Sequence, residues 1–318
     1  MDCIGYEWLR RSLDLTAFEV RHPARVRPVT RVLPGDGLLA VPAHVAPQGD
    51  DPLDHVLFAL KHEGVDLQVL AQALPRVADE RLAEVLAQTP NGQYIRVACF
   101  LWERFTGRML SSTARIGGRY VEVFDPERYV TGPARRDPRW RVSFNGLGTL
   151  HYCATVRRTP AIREGMASDI LGRSQDFAAS LGPAMLDRAL AWAYLHETED
   201  SYAIENERPG EDRARAFVQL LQQAHERKPL TEEYLAELQS STVTNPFDKA
   251  VQFRTGQNWL RGPGRGAMGV SYVPPGPDLA AELMQELMVF ANEAPGHVDP
   301  IVAASVASFG LVFIHPFM

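Results

Sequence analysis

Residues 299–318 read DPIVAASVASFGLVFIHPFM, and the reading of this stretch decides the fold. Asp299 is a residue type that caps helices, and Pro300 suits a first helical turn, where a missing N–H costs nothing. The run from Ile301 to Ile314 carries no charge and is apolar nearly all round, which predicts a buried helix. That helix delivers His315, Pro316 and Phe317 at its C-terminal end.

Working outward, PDLAAELMQELMVFANE (277–293) has helical spacing, with Leu279, Leu283, Leu287 and Phe290 on one side. Before it, FRTGQNWLRGPGRGAMGVSYVPPGP holds two β-prone arms, Gln257 to Leu260 and Val270 to Val273, around a glycine-rich tip, the pattern of a hairpin. EDRARAFVQLLQQAHE and TEEYLAELQSST read as two helices. A further helix starts at Pro183 and runs to Pro209 and Gly210, its buried face marked by Leu186, Leu190, Ala193 and Tyr194.

The first part of the chain reads differently. Residues up to about Gly49 mix short apolar runs with proline and read as strands and turns. The stretch 51–107 is a helical block, with Leu57, Phe58 and Leu60 on or near one face and breaks at Pro75, Pro90 and Gly107. From Gly117 to Arg158 the text turns β-like, and Arg128, Arg135, Arg136, Arg139 and Arg141 cluster near Tyr129 and Trp140. Charge runs are usually solvated, so this reads as a hairpin whose arginines balance local acids. The organisation is an N-terminal mixed α/β region, 1–182, followed by a mainly α region with one hairpin, 183–318.

Composition narrows the function class. The chain has 318 residues, 45% hydrophobic and 23% charged, and a formal net charge of -6, so nothing global points to nucleic acid or an anionic membrane. A nucleic-acid role for the arginine cluster would require binding that falls steeply with salt. Cys3, Cys99 and Cys153 are odd in number and widely spaced, which suits a reducing compartment and argues against a zinc site. The first residues mix charges where a signal peptide needs an apolar stretch, and no later segment is apolar for long enough to span a bilayer. The expected location is the cytoplasm.

An apolar helix ending in IHPF resembles the start of the Fic family signature: His-Pro-Phe, any residue, Asp or Glu, Gly-Asn-Gly, then Arg or Lys. The order of the preceding parts is similar to that family too, with GQNWL, VSYVPP and PDLAAELMQELMVFAN standing where members have a hairpin flap and a helix. SYAIEN, Ser201 to Asn206, resembles the inhibitory pattern of members whose inhibitory helix lies N-terminal to the core. FALKHEGVDL and the ENERP run resemble stretches of longer bacterial members. The likeness covers roughly Pro183 to Met318.

The resemblance implies a Fic-type helical core and protein adenylyl transfer: AMP passes from ATP, with Mg²⁺, to a Ser, Thr or Tyr hydroxyl of a protein, self-modification included. It implies that His315 is the general base, a role suited to an imidazole titrating near neutral pH. Pro316 fixes the loop and Phe317 anchors it. Val270, Ser271 and Tyr272 form the flap edge to which a target segment adds as a strand. Glu205 is the inhibitory carboxylate, with Ser201 one turn before it and Asn206 after it.

The acidic Mg²⁺ ligand, the Gly-Asn-Gly turn and the closing basic residue do not occur in residues 1–318, so no metal ligand is assigned. The chain is therefore expected to be an inactive fragment cut within the signature, since phosphoryl transfer depends on the positioning those parts supply. Two alternatives stay open. One is a non-catalytic Fic-like binding or regulatory protein. The other is a related enzyme that removes AMP or moves another phosphate-containing group. The target protein, the oligomeric state and the role of the N-terminal region are also open.

Overall fold

The computed structural model describes residues 3–112, 114–204, 214, 218–220, 228–243, 249–262, 264 and 266–317, and over these the chain is mainly helical with small sheets. It forms two compact units, Met1–Gly146 and Leu147–Met318. The division falls before the segment 147–182, which the sequence organisation had grouped with the N-terminal region.

In the first unit, β1 (Cys3–Ile4) turns at once into α1 (Gly5–Ser12). Gly5 makes the turn with a φ of 64°. A Cβ there would strike the Glu63 carboxylate and come within 3.1 Å of Phe58 Cδ1, so close approach as well as backbone angle calls for glycine. Helix α1 corrects the reading of residues 1–49 as strands and turns alone. Tyr6 and Leu9 are buried on one face, while Glu7 pairs with Arg10 at 2.9 Å and Arg11 at 2.5 Å along the other.

Strands β2 (Ala24–Val26), β3 (Leu33–Gly35) and β4 (Leu38–Val41) complete a sheet of order β1-β2-β4-β3, in which only the β2–β4 pair is parallel. Ile4, Ala24, Val41, Ala46 and Phe58 form its core.

Four helices fill the block 51–107: α2 (Pro52–His62), α3 (Leu67–Ala73), α4 (Asp79–Gln88) and α5 (Gln93–Thr106). Asp51 and Asp66 cap α2 and α3, accepting from the N–H groups of Leu53 and Val69. The three breaks act as their chemistry requires. Pro75 sits in a 3₁₀ turn, Pro90 lies between α4 and α5, and Gly107 closes α5 in the left-handed conformation.

A second sheet, of order β5-β7-β6, is built from β5 (Val121–Glu122), β6 (Arg135–Asp137) and β7 (Val142–Phe144). Of the marked arginines Arg139 meets an acid, Glu103 at 3.1 Å, while Arg128 donates to the Glu63 carbonyl and Arg136 and Arg141 lie over the Tyr120 ring; Arg104 of α5 pairs with Asp137 of β6 at 3.0 Å. Tyr129 and Trp140 are buried, and the Trp140 indole N–H donates to Glu103 at 2.7 Å.

The second unit opens with a short hairpin, β8 (Leu147–Gly148) and β9 (Cys153–Ala154), followed by α6 (Pro160–Ala167), α7 (Ile170–Ser180) and α8 (Pro183–Ile204). On α8 the sequence-marked face is only partly covered. Leu186 and Tyr194 are half-buried, Leu190 and Ala193 are exposed, and Thr198 is fully buried. Helix α9 (Glu232–Thr242) matches TEEYLAELQSST, whereas most of 211–226 lies outside the described residues.

Two helices then carry the core of this unit, α10 (Pro277–Glu293) and α11 (Pro300–Ile314). The buried stripe of α10 is Ala280, Met284, Leu287 and Phe290, so Leu287 and Phe290 lie where the sequence marks them, whereas in the first turns Ala280 and Met284 take the places of Leu279 and Leu283.

Helix α11 is the larger correction. It buries Val302, Val306, Gly310 and Ile314 and leaves Ile301, Phe309, Val312 and Phe313 exposed. The reason is geometric: an i, i+4 ridge packs against α10, while the exposed apolar side chains lie off that ridge, with Phe313 meeting the Tyr272 ring at 6.5 Å between centroids. Gly310 permits that packing, since a Cβ there would come within 2.8 Å of Leu287 Cδ1 and would also strike the Tyr152 hydroxyl.

Two expectations follow. Gly310→Leu should cost about 1–3 kcal/mol by overpacking, read as a lower urea midpoint for the second unit. In the first unit the Gly5 N–H donates to His55 Nδ1 at 3.1 Å, so the ring is neutral, with Nε2 donating to the Gly49 carbonyl at 3.0 Å. Burial holds the His55 pKa below its ordinary value. The unfolded state therefore binds the extra proton first, and stability present above roughly pH 6.5 falls as pH drops. Trp8 stacks on His55 with ring centroids 3.8 Å apart, and its indole NMR resonance should report this acid-side loss. His55→Asn, which keeps an acceptor but does not titrate, should flatten it.

Candidate catalytic loop

A helix leaves its last four carbonyls without intrahelical donors, and burying such an end requires partners from elsewhere. At the end of α11 every carbonyl from Phe313 to Phe317 has one. The Tyr272 hydroxyl donates to the Phe313 carbonyl at 2.5 Å. The Arg254 guanidinium donates through Nη2 to Ile314 at 3.2 Å and through Nε to His315 at 2.8 Å. The Arg254 backbone N–H donates to Pro316 at 2.8 Å, and Asn258 Nδ2 donates to Phe317 at 2.9 Å.

Arg254 is 6% exposed and reaches further, donating to the carbonyls of Gly256 at 3.0 Å and Pro275 at 2.5 Å. These two carbonyls flank the hairpin formed by β10 (Leu260–Arg261) and β11 (Val270–Tyr272), which pairs Leu260 with Tyr272 and Arg261 with Val270. The first arm begins later than Gln257 because Gln257 and Asn258 use their side chains as ties. Gln257 Nε2 donates to Pro274 at 3.0 Å.

His315 closes α11 in the left-handed region, with φ 49° and ψ 65° and its N–H on the Leu311 carbonyl at 2.8 Å. For a non-glycine residue this conformation costs roughly 1–2 kcal/mol, which the bonds to Arg254 offset. Burial, aided by the nearby Arg254 charge, holds the His315 pKa below its ordinary value. Its imidazole is thus neutral near pH 7, the form that can accept a proton.

The other sequence-marked residues fall into three groups. Pro316 is buried and the Phe317 ring lies 5.7 Å from that of Phe253, so the loop sits on an aromatic pair. Tyr272 joins the loop through Phe313. Val270 and Ser271 stand exposed on β11, and the Ser271 hydroxyl donates back to the Leu260 carbonyl at 3.1 Å. Ser201 belongs to α8, while Glu205 and Asn206 lie outside the described residues.

Sequence reasoning missed Arg254 and Asn258. The signal was there: a helix predicted to end in a buried loop demands donors, and FRTGQN offers an arginine and two amides immediately before the hairpin.

The chemistry this loop offers is limited and specific. It presents a neutral imidazole on a loop that Arg254 ties to a short hairpin. Residues 300–317 contain no carboxylate for a divalent cation, and Arg254 is committed to carbonyls, so these residues by themselves do not fit Mg²⁺ or a triphosphate. Among the described residues no group of three or more His, Cys, Asp or Glu is placed to hold a metal ion. No described helix is long and apolar enough to cross a membrane.

Tyr272→Phe tests the accounting at the helix end. Loss of one donor should lower the stability of the second unit by about 0.5–1.5 kcal/mol, measured by urea unfolding. An unchanged midpoint would mean that water replaces the hydroxyl fully.

No family model matches the chain, and no curated protein matches it. Among solved structures it is similar to the crystal structure of a Fic family protein from Desulfovibrio desulfuricans G20, with 22% identity and a TM-score of 0.34. The match covers 50% of this chain and 53% of that one, so the chain spans about half the length of its structural neighbour.

Proposed function

We propose that this chain carries the base and the target-docking edge of a Fic-type protein adenylyltransferase, with Glu205 as its inhibitory carboxylate. The observation that carries the reading is His315: a neutral imidazole, held in a strained turn at the end of an apolar helix, followed by Pro-Phe and tied to a two-stranded hairpin. The sequence resemblance supplies the reaction class.

In the proposed reaction a Ser, Thr or Tyr hydroxyl of a target protein loses its proton to His315 as its oxygen bonds to the α-phosphorus of ATP. The bond to the bridging oxygen breaks and pyrophosphate leaves. The phosphate cradle and the divalent-cation ligand come from the remainder of the family signature, which residues 300–317 do not contain. A target segment laid along Val270 to Tyr272 would place its hydroxyl by main-chain pairing, with little demand on sequence.

The test joins the chain to a complete signature and supplies Mg²⁺ and ATP labelled at the α-phosphate. Label should enter protein, and Glu205→Gly should raise it by tenfold or more. His315→Ala should lower it by about 10²–10⁴-fold, the span of general-base catalysis. Because the His315 pKa is lowered, the acid limb of the rate profile should lie below roughly pH 6.5. Failure of the Glu205→Gly form to transfer any label would sink the reading.

A second reading has one observation in its favour, the commitment of every Arg254 contact to carbonyls rather than to an open anion site. It makes the chain a Fic-like binding or regulatory protein. Calorimetry with ATP and the extended chain separates the two, since a binding module has no need of the nucleotide.

A further inference from the structure

We propose that Arg254 is a positioning residue that latches the catalytic loop to the hairpin, so that His315 and the docking edge move as one body. This rests on the adenylyl-transfer reading for its purpose but not for its test.

The argument starts from connectivity. Arg254 is one side chain with five donor hydrogens, and its bonds go to both sides of a boundary. Ile314 and His315 lie on the loop side, Gly256 and Pro275 on the hairpin side. Its own backbone N–H adds Pro316. Asn258, one helical turn's length further along the chain, extends the row to Phe317, and Tyr272 begins it at Phe313. Five consecutive carbonyls are thereby held by three residues of the hairpin segment.

A rigid planar fork suits this task and an ammonium does not. Guanidinium donors are fixed in one plane and satisfy several acceptors at set angles, whereas lysine presents a flexible point charge. A buried cation whose bonds among the described residues go to carbonyls also costs desolvation, and burial lowers the Arg254 pKa. Its retention in such a place is explained if the carbonyl array needs it. The consequence for the site is mechanical: the strained His315 turn persists only while this row of acceptors is satisfied, so displacement of the hairpin would release the base.

The experiment uses the 318-residue chain without nucleotide. Amide hydrogen exchange is followed for Arg254→Lys, Arg254→Met and Asn258→Ala, together with the NMR titration of the His315 ring. The charged group acting on His315 is Arg254 before β10, the Tyr272 hydroxyl on β11 goes to the Phe313 carbonyl, and α11 itself carries no charge.

Arg254→Lys should raise exchange by tenfold or more at both 254–275 and 313–317, leaving the amides of α10 unchanged. Arg254→Met should also move the His315 titration upward, while Asn258→Ala, which removes a bond but no charge, should leave it in place. Equal loosening of α10 and α11 would show a merely structural arginine and overturn the latch. So would loosening of only one of the two segments, or none. If Arg254→Met does not fold, Arg254→Lys and Asn258→Ala carry the exchange comparison. Failure of label transfer in the extended Glu205→Gly chain sinks the enzyme reading and leaves this exchange result standing.

Discussion

The row of hydrogen bonds from Tyr272, Arg254 and Asn258 to the carbonyls of Phe313 through Phe317 is the constraint on which the loop depends. A helix end is a concentration of unpaired acceptors carrying the negative pole of the helix dipole. Burying it beside an apolar ridge is unfavourable unless a compact set of donors arrives together. A guanidinium is the side chain that supplies most in the least volume, and its positive charge complements the helix terminus. The hairpin is therefore more than a connection between α9 and α10: the segment leading into it, together with Tyr272 on its second arm, is the cap of α11.

That arrangement joins local chemistry to the position of His315. His315 takes up the left-handed conformation that ends the helix, burial holds its pKa down, and the same arginine that donates to its carbonyl adds to that lowering. Packing supports this from below, through the Phe253 and Phe317 rings and through Ile314, which is fully buried. Support from the side comes through Gly310, whose lack of a side chain lets α11 approach Leu287 and Tyr152. His315, its loop and the hairpin thus share one set of contacts.

The first unit is organised by different means. A two-residue strand, a glycine turn and a short amphipathic helix are tied back to α2 through His55 and Glu63, whose side chains accept from the N–H groups of Gly5 and Tyr6. Its arginines are absorbed by local acids, carbonyls and aromatic rings, as with Arg139 on Glu103 and Trp140 and Arg128 on the Glu63 carbonyl. A basic stretch in the text is consequently an internal brace in the fold.

Several features were legible in the residues alone. Asp299-Pro300 starts α11, Gly107 stops α5, helical spacing marks α2 through α5, and the glycine-rich tip marks the hairpin, because caps, breakers and periodicity act within a few residues of chain. Other features had to wait for the fold. Nothing in MDCIGYEWLRRSLDL announces that Gly5 opens a helix, since that turn exists to avoid Glu63, far along the chain. The uncharged α11 reads as buried all round, yet only the i, i+4 ridge is buried, and periodicity cannot say how many neighbours a helix will have. Arg254 reads as one arginine among many until the chain brings it to the carbonyls of residues 314–316. Local chemistry determined where elements begin and end, whereas the tertiary structure alone decided which donors met which acceptors, because those partners are some sixty residues apart in sequence.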